Sequence, residues 1–169
     1  PEDNPEFAPM IEEMRKQSSR MAQLVEDLLT LSRLDSQDAL REEVIPMQTM
    51  LTTLRREAEA LSQGHHKITI EDTAQCDIYG AHKELHSAFS NLVSNAVRYT
   101  PYKGEIKIRF EQATDKSLRL SVKDSGYGIP AQHIPRITER FYRVSTSRSR
   151  ESGGTGLGLS IAKHVLSLH

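Results

Sequence analysis

The sequence predicts a mixed α/β domain preceded by a long, separate helix. Three observations support this prediction: a helical apolar repeat near the N-terminus, alternating strand and helix patterns after it, and glycine-rich segments at the junctions between elements. The chain has 169 residues and a formal net charge of -1, which is the size and charge balance of one domain with an appendage. A nucleic-acid-binding protein would be expected to carry a basic excess, so this class is not favoured.

The cysteine and histidine content argues against a disulfide framework or a metal cluster. Cys76 is the single cysteine, and we expect it to be a buried or half-buried side chain. His65 and His66 have no further ligands at suitable spacing, so we interpret them as part of a solvated turn. The sequence has no apolar run that could span a bilayer and no signal peptide. We therefore expect these residues to lie in the cytoplasm.

The stretch from Pro9 to Leu34 is predicted to be a helix with a heptad-like apolar stripe. Its opposite face is polar and includes Glu26 and Asp27. The charged stretch Asp35 to Glu43 separates this helix from the rest, and an amphipathic helix must bury its apolar stripe. Either the helix packs on its own domain, or it pairs with another helix, which a second chain could supply. The stripe consists of Met10, Met14, Met21, Leu24, Leu28 and Leu31.

The remaining elements follow from alternation of apolar residues in strands, helical periodicity, and proline or glycine at the boundaries. The Ser/Arg-rich stretch Ser145 to Ser152 fits a mobile flap over a ligand. The predicted elements are a strand at Val44 and Ile45, a helix from Pro46 to Gly64, strands at Lys67 to Glu71 and Cys76 to Tyr79, a helix from Ala81 to Tyr99, strands at Glu105 to Phe110 and Leu118 to Asp124, a short amphipathic piece from Ile134 to Tyr142, and a C-terminal helix after Gly158.

The helix from Ala81 to Tyr99 carries a polar stripe beside its buried one. Leu85, Phe89, Leu92 and Ala96 form the predicted buried stripe, and Glu84, Asn91, Asn95 and Arg98 share another face. An amide oxygen is a hard, neutral ligand that suits Mg²⁺, which takes its other ligands from water and substrate phosphates. Arg98 is suited to phosphate oxygens, and Tyr99 could lie against a base.

The heptapeptide from Asp124 to Pro130 follows a predicted strand and contains two glycines. The Asp124 carboxylate only accepts hydrogen bonds, so it would pair with an amine such as adenine N6 and repel the carbonyl of guanine. Gly126 and Gly128 permit positive φ and a close approach to a flat ligand. An ordinary turn remains the alternative for this segment taken alone.

A second glycine-rich loop runs from Gly153 into an apolar helix. Free amides at the start of a helix attract anions, and glycines let phosphates come close. The loop matches neither the dinucleotide fingerprint nor the P-loop. Together with Asn91 to Thr100 and Asp124 to Pro130, it predicts a nucleotide pocket.

These motifs resemble those of bacterial sensor histidine kinases. Asn91 to Thr100 is similar to the N box, Asp124 to Pro130 to the first glycine box, Glu139 to Arg143 to the F box, and Gly154 to Lys163 to the second glycine box. The predicted N-terminal helix resembles the second helix of the dimerisation and histidine-phosphotransfer hairpin. Three further segments are most similar to sensor kinases of the phosphate regulon: Ile45 to Met47, Arg56 to Gln63 and Ile137 to Val144.

The resemblance implies an α/β sandwich of the histidine-kinase, gyrase and chaperone ATPase type that binds ATP and Mg²⁺. In this family the γ-phosphoryl group passes to a histidine and then to an aspartate of a response regulator, which is chemistry that depends mainly on positioning and charge neutralisation. Asn95 would hold Mg²⁺ with support from Asn91. The nucleotide-binding residues implied are Asn91, Asn95, Arg98, Tyr99, Asp124, Gly126, Gly128, Ile129, Arg143, Gly154, Thr155, Gly156, Leu157 and Gly158.

The resemblance also implies a fragment of a longer, membrane-anchored receptor. None of the 7 histidines is followed by an acidic residue, as the family's phosphoacceptor is, so we expect no catalytic residue here and two further C-terminal strands elsewhere. The implied domains are 1–36, the second hairpin helix; 37–43, a linker; and 44–169, an incomplete catalytic domain. Thr138 stands where many members have an aromatic residue, and Arg98 where lysine is common. The expected partners are a receiver domain and a second copy through the N-terminal helix, with no nucleic acid and no direct membrane contact.

Two other functions stay open from the sequence. A gyrase-type or chaperone-type ATPase shares the fold, but in the gyrase type a glutamate four residues before the metal asparagine activates water, and that position is Asn91 here. A non-catalytic ATP-binding dimerisation module is the other.

Overall fold

The computed structural model describes residues 7–36, 40–144 and 154–169. The predicted flap from Ser145 to Ser152 and positions 37–39 of the predicted linker lie outside these ranges. The elements in chain order are helix α1 (Ala8–Asp35), strand β1 (Glu43–Ile45), helix α2 (Met47–Ser62), strands β2 (Lys67–Asp72) and β3 (Ile78–Gly80), helix α3 (His82–Tyr99), strands β4 (Glu105–Gln112) and β5 (Leu118–Asp124), a 3₁₀ helix (Ala131–Arg136) and helix α4 (Gly158–Leu168).

The strands form a three-stranded sheet and a separate two-stranded ribbon. In the sheet, β4 is central: it pairs parallel with β2 and antiparallel with β5. In the ribbon, β1 and β3 pair antiparallel, with Val44 opposite Tyr79. Ile106 and Ile108 are fully buried while Lys107 between them is not, so one face of the sheet is covered. The burial of β4 thus alternates as its apolar and polar residues do.

The covered face of the sheet packs on a layer of helices. Helices α2 and α3 contact the sheet and each other, and α4 packs along α3. The shared core contains Leu54 from α2, Val93 from α3, Ile161 from α4 and Ile106 from β4, each no more than 1% exposed. This arrangement of layers is the predicted α/β sandwich.

Helix α1 belongs to the core only near its C-terminal end. Leu31 and Leu34 are buried there and Leu24 packs beside them, whereas Met14 and Met21 are each 67% exposed. The two interpretations of this helix therefore apply to different parts of it: the last turns pack on their own domain, and the rest of the apolar stripe is open.

Some side chains differ from expectation. His66, interpreted as part of a solvated turn, is half-buried, and its Nε2 lies 2.9 Å from the Thr100 carbonyl oxygen. Asp27, predicted on the outer polar face, is only 5% exposed, because the face of α1 that packs on the domain runs through it. Cys76, predicted to be buried or half-buried, is exposed in the segment before β3. Leu92, predicted in the buried stripe of α3, is half-buried and faces a cavity. Within the described residues, no helix is both long enough and apolar enough to span a membrane.

Candidate functional site

One cavity of about 1260 Å³ gathers the sequence-predicted site residues. Its walls are α3, the loop after β5, the glycine-rich loop before α4, and α1. Every residue predicted to bind nucleotide lines it except Leu157. Segments that are far apart in the sequence therefore meet at one place, as the prediction requires.

The polar stripe of α3 faces this cavity. Glu84, Asn91, Asn95 and Arg98 all line it, because their spacing places them on one helical face. The Asn91 side-chain Nδ2 donates a hydrogen bond to the Ser87 carbonyl oxygen at 2.9 Å. The Asn95 amide is half-buried and forms no hydrogen bond with any described residue. Asn95 is thus the asparagine of the pair whose amide is free to receive a ligand.

The Asn91 amide oxygen lies against the first residue of α4. A Cβ atom at Gly158 would collide with this oxygen, so the Asn91 side chain can keep this position only because residue 158 is a glycine. Asn91 therefore joins α3 to the start of α4 as well as lining the cavity.

Asp124 ends β5 at the mouth of the cavity. Its Oδ1 accepts a hydrogen bond from the Gly126 backbone N–H at 2.8 Å, which fixes the turn, while its Oδ2 has no hydrogen bond from the described residues. A Cβ atom on Gly126 would lie 2.7 Å from the Tyr99 carbonyl oxygen. The glycine therefore lets the end of α3 contact the loop after β5, which brings Tyr99 and Asp124 together.

The glycine-rich loop closes the other side of the cavity. Gly156 has φ of +79°, and a Cβ there would lie 3.0 Å from the Phe141 backbone, so both its conformation and its surroundings require glycine. Phe141 donates its N–H to the Gly156 carbonyl oxygen at 2.9 Å. Gly154 lies beside the Arg98 guanidinium. Leu157 is fully buried in the core, so its side chain anchors the loop, and only its backbone could meet a ligand.

Sequence reasoning missed the wall that α1 supplies. The Thr155 hydroxyl donates a hydrogen bond to Asp27 Oδ2 at 2.6 Å, and Gln23 Nε2 donates one to Asp27 Oδ1 at 2.9 Å. A signal was present: Asp27 and Leu34 share helical spacing with Leu24 and Leu31 of the predicted stripe, which places a carboxylate on an apolar face. The other α1 residues that line the cavity are Gln23, Glu26, Thr30, Arg33 and Leu34.

A second group of polar residues lies between α2 and α3 at the edge of the same cavity. Glu57 accepts hydrogen bonds from His86 Nε2 and from the Ser90 hydroxyl, both at 2.9 Å. This carboxylate ties α2 to the middle of α3 and so helps to set the orientation of the polar stripe.

Comparisons with known proteins find one matching family and several related proteins. A family model for histidine kinase-, DNA gyrase B- and HSP90-like ATPases matches residues 80–169. The phosphate regulon sensor protein PhoR of Pseudomonas aeruginosa is 45% identical over 168 residues, which covers 98% of this chain and 38% of that protein. PhoR of Haemophilus influenzae is 36% identical over 163 residues, which covers 96% of this chain and 38% of that protein.

The solved structures show the same fold. The structure of the histidine kinase AdeS of Acinetobacter baumannii matches with a TM-score of 0.73 at 23% identity, covering 95% of this chain and 73% of that chain. The chain described here spans 38% of the length of each of the two curated relatives. The resemblance of the sequence motifs to this group of proteins is thus confirmed.

Proposed function

The chain belongs to the histidine kinase-, DNA gyrase B- and HSP90-like ATPase family, and from that premise we propose that it is the ATP-binding catalytic part of a sensor histidine kinase. One observation carries the proposal: the polar stripe of α3, the turn at Asp124 and the loop from Gly154 to Gly158 line a single cavity. Its volume of about 1260 Å³ leaves room for a nucleotide.

The two ends of the cavity suit the two ends of ATP. At the mouth, the Asp124 Oδ2 atom is available to accept a hydrogen bond from the adenine amine. At the glycine loop, Arg98 and the backbone amides that lead into α4 offer positive charge and donors to phosphates. Tyr99 lies between them, 39% exposed, where it can stack on the base. Gly128, Ile129 and Arg143 line the same space.

Asn95 is the residue we propose as the Mg²⁺ ligand. Its amide faces the cavity without a hydrogen-bond partner among the described residues, and an amide oxygen is a ligand that Mg²⁺ accepts. Held there, the ion would neutralise charge on the phosphates. Asn91, whose Nδ2 is already bonded to Ser87, would support this arrangement.

The proposed reaction is transfer of the γ-phosphoryl group to a histidine supplied from outside the described residues. Hydrolysis would need a general base near the attacking water. Asn91 occupies the position of that base in gyrase-type enzymes, and a neutral amide that donates to Ser87 cannot take a proton. The site therefore favours transfer to an incoming nucleophile over steady hydrolysis.

The proposal also includes a homodimer, a response-regulator partner and a membrane-anchored parent protein. The exposed apolar residues of α1, such as Met14 and Met21, fit a homodimer formed through this helix. The phosphorylated histidine would then serve a receiver domain of a response regulator. The 45% identity to a phosphate regulon sensor supports a role in phosphate-starvation signalling within a membrane-anchored parent protein.

Calorimetric titration with a non-hydrolysable ATP analogue and Mg²⁺ tests the binding step. We expect adenine-selective binding, with a GTP analogue at least about tenfold weaker, and loss of that selectivity in Asp124→Asn, because the amide presents a donor where the amine needs an acceptor. Asp115→Asn is the matched control, since Asp115 lies in the exposed turn between β4 and β5. Equal binding of both nucleotides by the wild-type protein would contradict the assignment of Asp124.

The transfer step is tested with radiolabelled ATP and an added phosphoacceptor hairpin. Label should appear on the histidine of the hairpin, and Asn95→Ala should abolish it. Steady release of inorganic phosphate without the hairpin, lost in Asn91→Ala, would instead show a hydrolase. If ATP binds but neither transfer nor hydrolysis is seen, the chain is a non-catalytic ATP-binding module.

A further inference from the structure

Asp27 is a buried carboxylate that forms no ion pair with a cation in the described part of the chain. It is 5% exposed, and among the described residues no lysine, arginine or histidine forms an ion pair with it. Its two oxygens accept hydrogen bonds from neutral groups, the Gln23 amide and the Thr155 hydroxyl. A buried negative charge with only neutral partners is costly, so its place in the structure needs an explanation.

The position of Asp27 beside the start of α4 explains why a carboxylate is buried here. Its carboxylate reaches the loop that leads into α4 through Thr155, whose Oγ1 also accepts the Leu157 backbone N–H at 3.3 Å. The start of a helix attracts negative charge because its first N–H groups are unpaired. Helix α1 thus presents its own anion to the loop that is proposed to receive the phosphates of ATP.

Contacts on the C-terminal side of Asp27 hold α1 in this place. Leu31 and Leu34 are buried against the domain, and the Asp35 carboxylate forms a two-pronged ion pair with Arg140 at 2.9 and 3.0 Å. Asp27 is therefore part of a docked arrangement of the last turns of α1, and it is not an accidental surface contact.

We propose that docked α1 competes with the phosphates of the nucleotide, with Asp27 as an intrachain anion at the phosphate loop. This inference rests on the proposed function of the cavity. A triphosphate that approaches this loop meets the Asp27 charge and must compete for the Thr155 hydroxyl, so docking of α1 and binding of ATP oppose each other. Because such coupling is reciprocal, bound ATP lowers the affinity of α1 for its docked position.

The substitution Asp27→Asn tests the electrostatic part of the proposal. Asparagine keeps the size and the acceptor oxygen for Thr155 but removes the charge. The control is Glu13→Gln, which removes one charge from the same helix at a site outside the cavity, where Glu13 likewise accepts a hydrogen bond from a glutamine, Gln17. Calorimetry is run on the wild-type protein and both variants with adenosine, ADP and a non-hydrolysable ATP analogue.

We expect Asp27→Asn to raise the affinity for the ATP analogue by about fivefold or more and for ADP by less, because the repulsion grows with the charge of the ligand. Adenosine should bind all three proteins equally, and Glu13→Gln should match the wild type with every ligand. A similar gain for adenosine and the ATP analogue would refute the charge mechanism. Unchanged affinity for the ATP analogue in Asp27→Asn would also refute it.

A second measurement follows the helix directly. Hydrogen exchange in the last turns of α1, from Leu24 to Leu34, should become faster when the ATP analogue binds the wild-type protein, and it should not change with adenosine. Slower exchange there would overturn the competition. If the wild type binds none of the three ligands, the proposed function of the cavity is wrong. If it binds them all and Asp27→Asn behaves like the wild type, only the competition is wrong.

Discussion

The close contact between Gly126 and the end of α3 makes a quantitative prediction. In Gly126→Ala, the new Cβ would lie 2.5 Å from Asp124 Oδ1 and 2.7 Å from the Tyr99 carbonyl oxygen. Ordinary contacts begin at 3.4 Å, so the end of α3 and the turn after β5 must separate by about 0.7 Å. Overpacking of this size costs about 1–3 kcal/mol of the free energy of unfolding.

The same displacement should weaken nucleotide binding, because it moves Tyr99 and Asp124, which are proposed to hold the adenine. We expect urea unfolding to show the loss of stability, and calorimetry with the ATP analogue to show at least about a tenfold loss of affinity, since a site must hold its geometry to within about 0.5 Å. The variant should remain folded at the temperature of the titration.

Gly64→Ala is the matched control. Gly64 has φ of +78° but no atom within 4 Å of the added Cβ, so this substitution strains the backbone without a collision. It should cost about 1–2 kcal/mol of stability and leave the nucleotide affinity unchanged. The reasoning is refuted if Gly126→Ala binds the analogue as tightly as Gly64→Ala does.

Three further predictions concern the core, the outer face of the sheet and the dimer. Leu54→Ala removes a fully buried side chain and should lower the free energy of unfolding by about 2–5 kcal/mol in urea titrations; a loss below about 1 kcal/mol would contradict its place in the core. Lys107 donates a hydrogen bond to Glu71 and lowers the pKa of that carboxyl below its ordinary value of 4.5. The ionised Glu71 carboxylate therefore contributes to the free energy of unfolding at neutral pH, and this contribution is lost as the pH falls through the lowered pKa. Lys107→Met should therefore flatten the fall in stability between about pH 6 and pH 3, and an unchanged pH slope would argue against the pairing. If the proposed dimer forms, Met14→Asp should convert it to a monomer in sedimentation experiments, whereas Lys16→Asp should not; a wild-type monomer at high concentration would exclude the dimer.

Much of the fold follows from local patterns in the sequence. The alternation of Ile106 and Ile108 predicts β4 and its covered face, and the spacing of Leu85 and Phe89 predicts the buried side of α3, because both depend only on the period of one element. The sequence predicts that Gly126 allows a close approach, but it does not predict which group comes close. That group is the Tyr99 carbonyl oxygen, which belongs to another element.

The contribution of α1 to the site could not be predicted in the same way. The hydrogen bond between Asp27 and Thr155 joins residues that are 128 positions apart, so no local pattern encodes it. For Leu157 the sequence predicts a role that its side chain does not have. Its position in a glycine-rich motif predicts contact with a ligand, but its side chain is buried in the core. In both cases the three-dimensional packing of distant elements decides the role of the residue.

The open and docked residues of α1 lie on different faces of the helix, so docking on the domain and the proposed dimer use different residues. The docked face consists of Leu24, Asp27, Leu31 and Leu34. The open residues follow one another at steps of three, seven, four and three, as in a coiled-coil seam, and a partner helix can pack on them without touching Asp27. In the proposed dimer, helix α1 can therefore leave the phosphate loop without separation of the two copies. Met14→Asp should then weaken the dimer and leave the expected fivefold effect of Asp27→Asn on ATP affinity in place. The seam residues are Ile11, Met14, Met21, Val25 and Leu28, all more than two-fifths exposed.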